Sequence, residues 1–321
     1  MSLSITKKAT LSDGNEMPAF GLGTFLSESG VVGKAVETAL EVGYRAIDCA
    51  AVYGNEKEIG EVLHKAFTST LKREDVWITS KLWNTMHAPE RVREACVQTL
   101  QDLQLDYVDL YLMHWPVAFK NEEGKGQVTD EEGRVITEDI PLEDTWRAME
   151  GLVDEGLVKS IGVSNMQPRT LQKLCRTARI RPTVNQVEMH PYWRQEELFR
   201  VCKDLNIHVT AYSPFGNPGL SSQFGKLPVL ENDVIVGIAK KKNTTAAAVV
   251  LNWAMERGFS VIPKSVHPDR IRDNYESTFG VHLDPEDVAE ISSIAHQERY
   301  VNPLNFWKLD LFSPEFDCGE D

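Results

Sequence analysis

The sequence predicts an α/β fold, a (β/α)8 TIM barrel with an N-terminal β-hairpin and long loops on the carboxyl face of its strands, and three observations carry that prediction. Short apolar runs alternate with stretches of helical spacing from Ala19 onward, eight such runs can be counted, and no shift of composition marks a linker between them. Eight strands each followed by a helix close most economically into a barrel, because right-handed crossovers keep every strand parallel to the last. We therefore expect one domain over residues 1–321, a length that α/β barrels commonly hold.

Taken in order, Thr6 to Met17 carry the turn Ser12-Asp13-Gly14-Asn15 between short mixed segments, which is a hairpin signal. The strand candidates are Ala19–Thr24, Ala46–Ala50, Val76–Leu82, Tyr107–Trp115, Ser160–Ser164, Thr183–Met189, His208–Ser213 and Phe259–Lys264. Helical spacing falls between them over Val31–Val42, Lys57–Phe67, Pro89–Leu103, Leu142–Asp154, Pro168–Ala178, Gln195–Leu205 and Ala246–Glu256, and Pro268 opens one more helix. Three connections are long: Pro116 to Pro141, Gly216 to Glu231, and the aromatic-bearing tail Val301 to Asp321. Loops after barrel strands lie on the carboxyl face, so these segments should wall one pocket.

Composition narrows the function classes. A net charge of −14 argues against a nucleic-acid or anionic-membrane surface, since those partners select basic patches. Five scattered cysteines without CxxC spacing indicate neither a disulfide framework nor a zinc site, and a reducing compartment is the simpler reading. Lys7, Lys8, Asp13 and Glu16 interrupt any signal-like apolar stretch, and the longest apolar run, Val108 to Phe119, is too short to span a bilayer. We expect a cytoplasmic monomer acting on a small molecule.

Barrel enzymes build their sites from several strand ends, and here those ends are rich in polar groups. They supply Asp48 and Tyr53, Lys81, His114, Ser164 and Asn165, Gln186 and Glu188, Tyr212, and Lys264. Singly, each has an ordinary structural reading: a Tyr packs its ring at a rim, an Asp satisfies loop amides, and a lone His sits satisfied in a core. Together they make chemical sense. A Tyr can give up a proton near neutral pH only if a cation steadies its phenolate, and Lys81 in Ile78-Thr-Ser-Lys81-Leu82-Trp83 supplies one. A buried ammonium in turn needs an anion such as Asp48, while His114 can hydrogen-bond a substrate oxygen and fix its direction.

The stretches that carry these groups resemble the aldo-keto reductase superfamily, and the resemblance covers essentially the whole chain. They are Met17-Pro-Ala-Phe-Gly21-Leu-Gly23-Thr24, Gly43-Tyr-Arg-Ala-Ile-Asp48, Tyr53-Gly-Asn-Glu56, Ser80-Lys81-Leu-Trp83, Asp109-Leu-Tyr-Leu-Met-His114-Trp115-Pro116, Gly156 to Asn165, and Ile262-Pro-Lys264-Ser265. By that resemblance Asp48, Tyr53, Lys81 and His114 form a catalytic tetrad, and the reaction is NADPH-dependent reduction of a carbonyl. There is no GxGxxG opening a βα unit, consistent with a dinucleotide laid across the barrel. The resemblance implies that Thr24, Asp48, Ser164, Asn165, Gln186, Tyr212, Ser213, Lys264, Ser265, Arg270 and Asn274 hold the cofactor. Tyr212 would stack on the nicotinamide, and Asn165 and Gln186 would hold its carboxamide. Lys264, Ser265 and Arg270 suit a 2′-phosphate, which favours NADPH over NADH.

The expected substrate pocket is aromatic, lined by Phe25, Val52, Trp83, Trp115 and Phe119, with Asn305, Phe306 or Trp307 from the tail. Two positions depart from the family pattern: Phe25 stands where its aldose-reducing branch often has Trp, and His267 where Thr is common beside the phosphate site. Aldehydes are the expected substrates, with aldoses and ketones as alternatives. Two other readings stay open at this stage: a catalytically silent NADPH-binding regulatory or structural protein of the same fold, and a metal-dependent barrel hydrolase. The intact tetrad weighs against the first. His114, alone on its strand and without converging ligands, weighs against the second, so no metal is expected.

Overall fold

The structure, a computed structural model, describes residues 7–25, 27, 30–122, 126–216 and 227–318. The hairpin forms as β1 (Lys8–Thr10) and β2 (Glu16–Pro18), antiparallel with Thr10 opposite Glu16. Its tight turn rests on Gly14 at φ +87°, and the Asp13 carboxylate accepts the Asn15 N–H at 3.0 Å. Leu11 and Met17 from this hairpin pack with Ala46, Trp77, Leu110, Leu112 and Val184, so it closes the amino end of the barrel.

The remaining strands are β3 (Leu22–Gly23), β4 (Ala46–Asp48), β5 (Trp77–Leu82), β6 (Val108–Met113), β7 (Ala118–Phe119), β8 (Thr137–Glu138), β9 (Val158–Ser164), β10 (Val184–Glu188), β11 (His208–Tyr212) and β12 (Ser260–Val261). Apart from the small antiparallel pair β7 and β8, they form one parallel sheet in the order β3-β4-β5-β6-β9-β10-β11-β12. The sheet closes on itself: Phe20 bridges to Val261 and Gly23 to Lys264. Backbone bonds from Gly21 to Val261 at 2.9 Å and from Gly23 to Pro263 at 3.1 Å seal the seam. The expected barrel is therefore present. Its first and last strands are shorter than the runs Ala19–Thr24 and Phe259–Lys264; in the last, Pro263 lacks the N–H that a continuous ladder needs.

Helices surround the sheet where the spacing places them. Val32–Val42, for example, buries Val32, Ala35, Val36, Ala39 and Leu40, an i, i+3, i+4, i+7, i+8 stripe. The expected helix at Pro268 runs to Phe279. Two helices before the tail lie outside the sequence reading: Pro285–Ser292, opened by an Asp284–Asp287 capping box, and Asp233–Lys242, started by Asn232 accepting the Val234 N–H at 3.0 Å and ended by Asn243 at φ +51°. The tail adds two short helices, Pro303–Phe306 and Pro314–Cys318. Residues 217–226 of the long connection after β11 lie outside the described residues.

Candidate active site

β4 ends at Asp48, and a turn of 3-10 helix over Ala51–Tyr53, stopped by Gly54 at φ +66°, folds Tyr53 back over the strand end. Along β5 the inward positions alternate, so Lys81 follows Thr79 into the barrel. Its ammonium is fully buried and donates to Asp48 Oδ1 at 2.5 Å, to the Cys49 carbonyl at 2.8 Å and to Tyr53 Oη at 3.3 Å. All three donors of the lysine are thus satisfied. His114 follows β6, and its ring packs edge-on against Tyr53 at 5.8 Å and Trp83 at 5.2 Å. Asp48, Tyr53, Lys81 and His114 meet in one cluster.

The charges of that cluster follow from burial and neighbours. Burial pushes the Tyr53 hydroxyl up to about 12, with the Lys81 ammonium pulling the other way. Desolvation outweighs the cation, so Tyr53 keeps its proton at neutral pH, and the Lys81 ammonium beside it lowers the cost of the phenolate without ionising the phenol. Burial alone would lower the lysine, but Asp48 and Tyr53 raise Lys81 above its ordinary value and it stays charged. Burial, Lys81 and His87 hold His114 well below the ordinary histidine range, so its imidazole is neutral.

The residues expected to hold a cofactor form a second, contiguous network. Thr24 Oγ1 donates to the Asp48 carbonyl at 2.8 Å, and Gln186 Nε2 donates to Asp48 Oδ2 at 2.7 Å. Ser164 Oγ donates to the Gln186 carbonyl at 2.7 Å, and Asn165 Nδ2 donates to Ser164 Oγ at 3.1 Å and to the His114 carbonyl at 3.0 Å. Tyr212 Oη donates to Asn165 Oδ1 at 2.7 Å. Asn165 at φ +60° and Ser213 at φ +48° turn the chain sharply at two strand ends, a conformation that concentrates at functional sites. Lys264 and Arg270 are exposed, Ser265 is buried, and all three lie on the segment entering helix Pro268–Phe279; Asn274 is buried in its second turn. That donor set, two cations and a hydroxyl beside a helix N-terminus, fits a phosphate.

The aromatic wall assembles from three segments distant in sequence. Trp307 from the tail packs on Trp83 at 5.9 Å, Trp115 at 5.0 Å and Phe119 at 4.8 Å, and Phe306 packs on Trp307 at 4.9 Å. Phe25 sits 5.1 Å from the Tyr53 ring and is 46% exposed; Val52 is 43% exposed. Phe119 is fully buried behind Trp83 and Trp307.

Several working residues had no role in the sequence reading. Glu188 accepts the backbone N–H groups of Tyr300 at 2.7 Å and Val301 at 2.9 Å, and pairs with His190 at 2.9 Å, fastening the start of the tail to the end of β10. Asp317 accepts the N–H groups of Arg169 and Thr170 at 3.1 and 3.0 Å, fastening its other end to helix Pro168–Thr177. Asn55 Nδ2 donates to the Thr24 and Ser27 carbonyls at 3.0 and 3.3 Å and fixes the loop after β3. An acid at the end of an apolar strand was a signal for Glu188; nothing in the sequence marked Asp317.

Among the described residues no helix is long and apolar enough to cross a membrane, and no group of three or more His, Cys, Asp or Glu is placed to hold a metal ion. A parallel barrel gathers a Tyr, a Lys, an Asp and a His at its mouth, and comparison gives the family. Residues 21–296 match the Aldo/keto reductase family, and the chain belongs to it. It is 46% identical over 305 residues to aldo-keto reductase family 1 member A1-A of Danio rerio, covering 93% of each chain. It is 44% identical over 306 residues to aldose reductase B of Dictyostelium discoideum, covering 94% of this chain and 96% of that one. The aldose reductase structure from Schistosoma japonicum superposes with a TM-score of 0.89 at 42% identity, covering 96% of this chain and 99% of that one. The protein is thus an oxidoreductase of a family that uses nicotinamide cofactors.

Proposed function

We propose that this protein reduces aldehydes to alcohols with NADPH, Tyr53 acting as the general acid. The observation that carries the reading is the line Asp48–Lys81–Tyr53: one buried ammonium touches a carboxylate at 2.5 Å and a phenol at 3.3 Å. Bound nicotinamide would supply the hydride. As the carbonyl carbon gains that hydride, its π pair moves onto oxygen and the oxygen takes the Tyr53 proton. A phenol held protonated by burial is loaded for that step, and the neighbouring ammonium stabilises the phenolate it leaves. Neutral His114 offers an N–H to the substrate oxygen and orients it. Asp48 keeps Lys81 charged and aimed.

Lys264, Ser265 and Arg270 support the choice of NADPH, since a 2′-phosphate rewards paired cations and a bare ribose hydroxyl does not. Gln186 and Asn165, already bonded to Asp48 and His114, would hold the carboxamide by exchanging bonds within their network. The aromatic wall favours substrates with an apolar face. We place the protein in the cytoplasm as a monomer; four buried free thiols, Cys49, Cys96, Cys175 and Cys202, suit a reducing compartment.

The test is turnover of an aromatic aldehyde, a short aliphatic aldehyde, an aldopentose and a ketosteroid, with NADPH and then NADH, in wild type and Tyr53→Phe. The expected result is aldehyde reduction with NADPH preferred. Tyr53→Phe should lower kcat by about 10²–10⁴-fold and leave NADPH affinity within about twofold. Comparable turnover by the variant would reassign the acid, and silence of the wild type with NADPH still bound would turn the reading to a regulatory role.

A further inference from the structure

Beneath the Asp48–Lys81 pair the barrel interior is not fully packed. A cavity of about 20 Å³ lies between the hairpin's Met17 and Asp48, walled by Trp77, Thr79, Gln186, Thr210 and Ser260 among others. Strand register explains the grouping: Gln186 pairs with Thr210, Thr210 with Ser260, and Asp48 with Thr79. Thr210 Oγ1 and Trp77 Nε1 are both buried and have no hydrogen-bond partner among the described residues. Asp48 gives one oxygen to Lys81 and the other to Gln186, and each carboxylate oxygen can accept a second bond. The space thus has room for one water, for which about 10–15 Å³ suffices, and it has a donor, a hydroxyl and an acceptor around it.

We propose that this cavity is a hydration site in which one buried water joins Thr210 and Trp77 to Asp48, making Thr210 a positioning residue for the Asp48–Lys81–Tyr53 line. The indole N–H of Trp77 donates to the water, which donates in turn to the Asp48 carboxylate and exchanges a bond with the Thr210 hydroxyl. A third fixed contact beneath the carboxylate restricts its rotation. Lys81, bonded at 2.5 Å above it, is then held on Tyr53 instead of following a swinging partner. Neither Thr210 nor Trp77 touches the reacting atoms; both act through the water and Asp48.

The positioning role rests on the reductase reading, whereas the water site does not. The experiment therefore has two arms. High-resolution crystal structures of wild type and Thr210→Val should show one ordered water within hydrogen-bond distance of Thr210 Oγ1 and Trp77 Nε1, lost in the variant; a dry wild-type cavity overturns the proposal. Single-turnover hydride transfer from NADPH to an aldehyde should slow about 5–10-fold in Thr210→Val, with NADPH affinity and thermal midpoint unchanged, and Thr210→Ser should recover to within about twofold. Trp77→Phe should slow transfer similarly, and the double variant should be no slower than the slower single, because both act through one molecule. Transfer at the wild-type rate without the water, or additive losses in the double variant, overturns the positioning role. A wild type that reduces no carbonyl removes the enzymatic arm, and the crystal structures still decide the water.

Discussion

Glu56 shows what burial does to a carboxylate that has hydroxyls beside it but no bonded cation. Its oxygens accept from Ser80 Oγ at 2.5 Å and Thr99 Oγ1 at 3.2 Å. Burial pushes it up to about 7 from an ordinary 4.5, against the pull of those two hydroxyls. The folded state therefore holds a proton that the unfolded chain releases. The stability this confers is fully present below about pH 4.5 and is lost as pH rises through 7, by about 3 kcal/mol at most. Glu56→Gln, neutral throughout, should gain on wild type by up to that amount between pH 5 and pH 8, as read from paired urea or thermal unfolding curves. Parallel pH dependence in the two proteins would show that Glu56 stays ionised or exchanges with solvent. The meeting of Asp48, Tyr53, Lys81 and His114 was legible in the sequence and this acid's burial was not, for a physical reason. Lys81 and His114 interrupt apolar strands, where a polar side chain is costly, whereas Glu56 opens a helix, where acids are ordinary.

At the scale of elements, the tail matters more than its length suggests, because it is clamped at both ends across the barrel mouth. Glu188 holds residues 300 and 301, the Val135 N–H donates to the Trp307 carbonyl at 3.1 Å midway, and Asp317 holds the far end. Phe306 and Trp307 lie between the clamps, so the aromatic wall is preassembled, and a ligand docking on it would meet little ordering cost. Asp317→Ala should free one end and raise KM for an aromatic aldehyde about 3–10-fold, leaving single-turnover hydride transfer at saturation within about twofold. An unchanged KM would mean that the Trp307 packing alone fixes the wall. The tail's aromatic content pointed to aromatic packing, which Trp307 makes with Trp83, Trp115 and Phe119, but no local pattern could announce its anchors, since both are contacts between residues far apart in sequence. Helix Asp233–Lys242 escaped for a different reason. Its β-branched run Val234-Ile235-Val236 has weak helical preference and follows a long connection, so only its ends spoke for it: the caps Asn232 and Asn243, Asp233 in the first turn and Lys240 to Lys242 in the last.

For the whole molecule, the alternation of runs disclosed eight parallel strands, yet closure depends on a seam that periodicity does not display. There β3 meets the last strand through few backbone bonds, and Pro263 leaves a gap in the ladder. The strands approach closely only because Gly21 and Gly23 lack side chains. A Cβ on Gly23 would stand 2.8 Å from the Ile262 carbonyl oxygen, and one on Gly21 would stand 3.3 Å from Ile262 Cγ2. Backbone cannot step aside as a flexible side chain can, so Gly23→Ala must spread the seam and should cost about 1–3 kcal/mol. The same residue neighbours Thr24, whose hydroxyl holds the Asp48 carbonyl, and bridges to Lys264, so spreading the seam displaces both ends of the candidate cofactor site. Gly23→Ala should therefore lower the thermal midpoint and weaken NADPH binding together. Gly151→Ala is the control: a Cβ there meets nothing within 4 Å inside helix Leu142–Asp154, and it should stabilise by about 0.5–1 kcal/mol without touching NADPH affinity. A lowered midpoint with unchanged NADPH affinity would separate the seam from the site. An unchanged midpoint would mean that the barrel yields at this point, and that its closure is held instead by the helices packed around it.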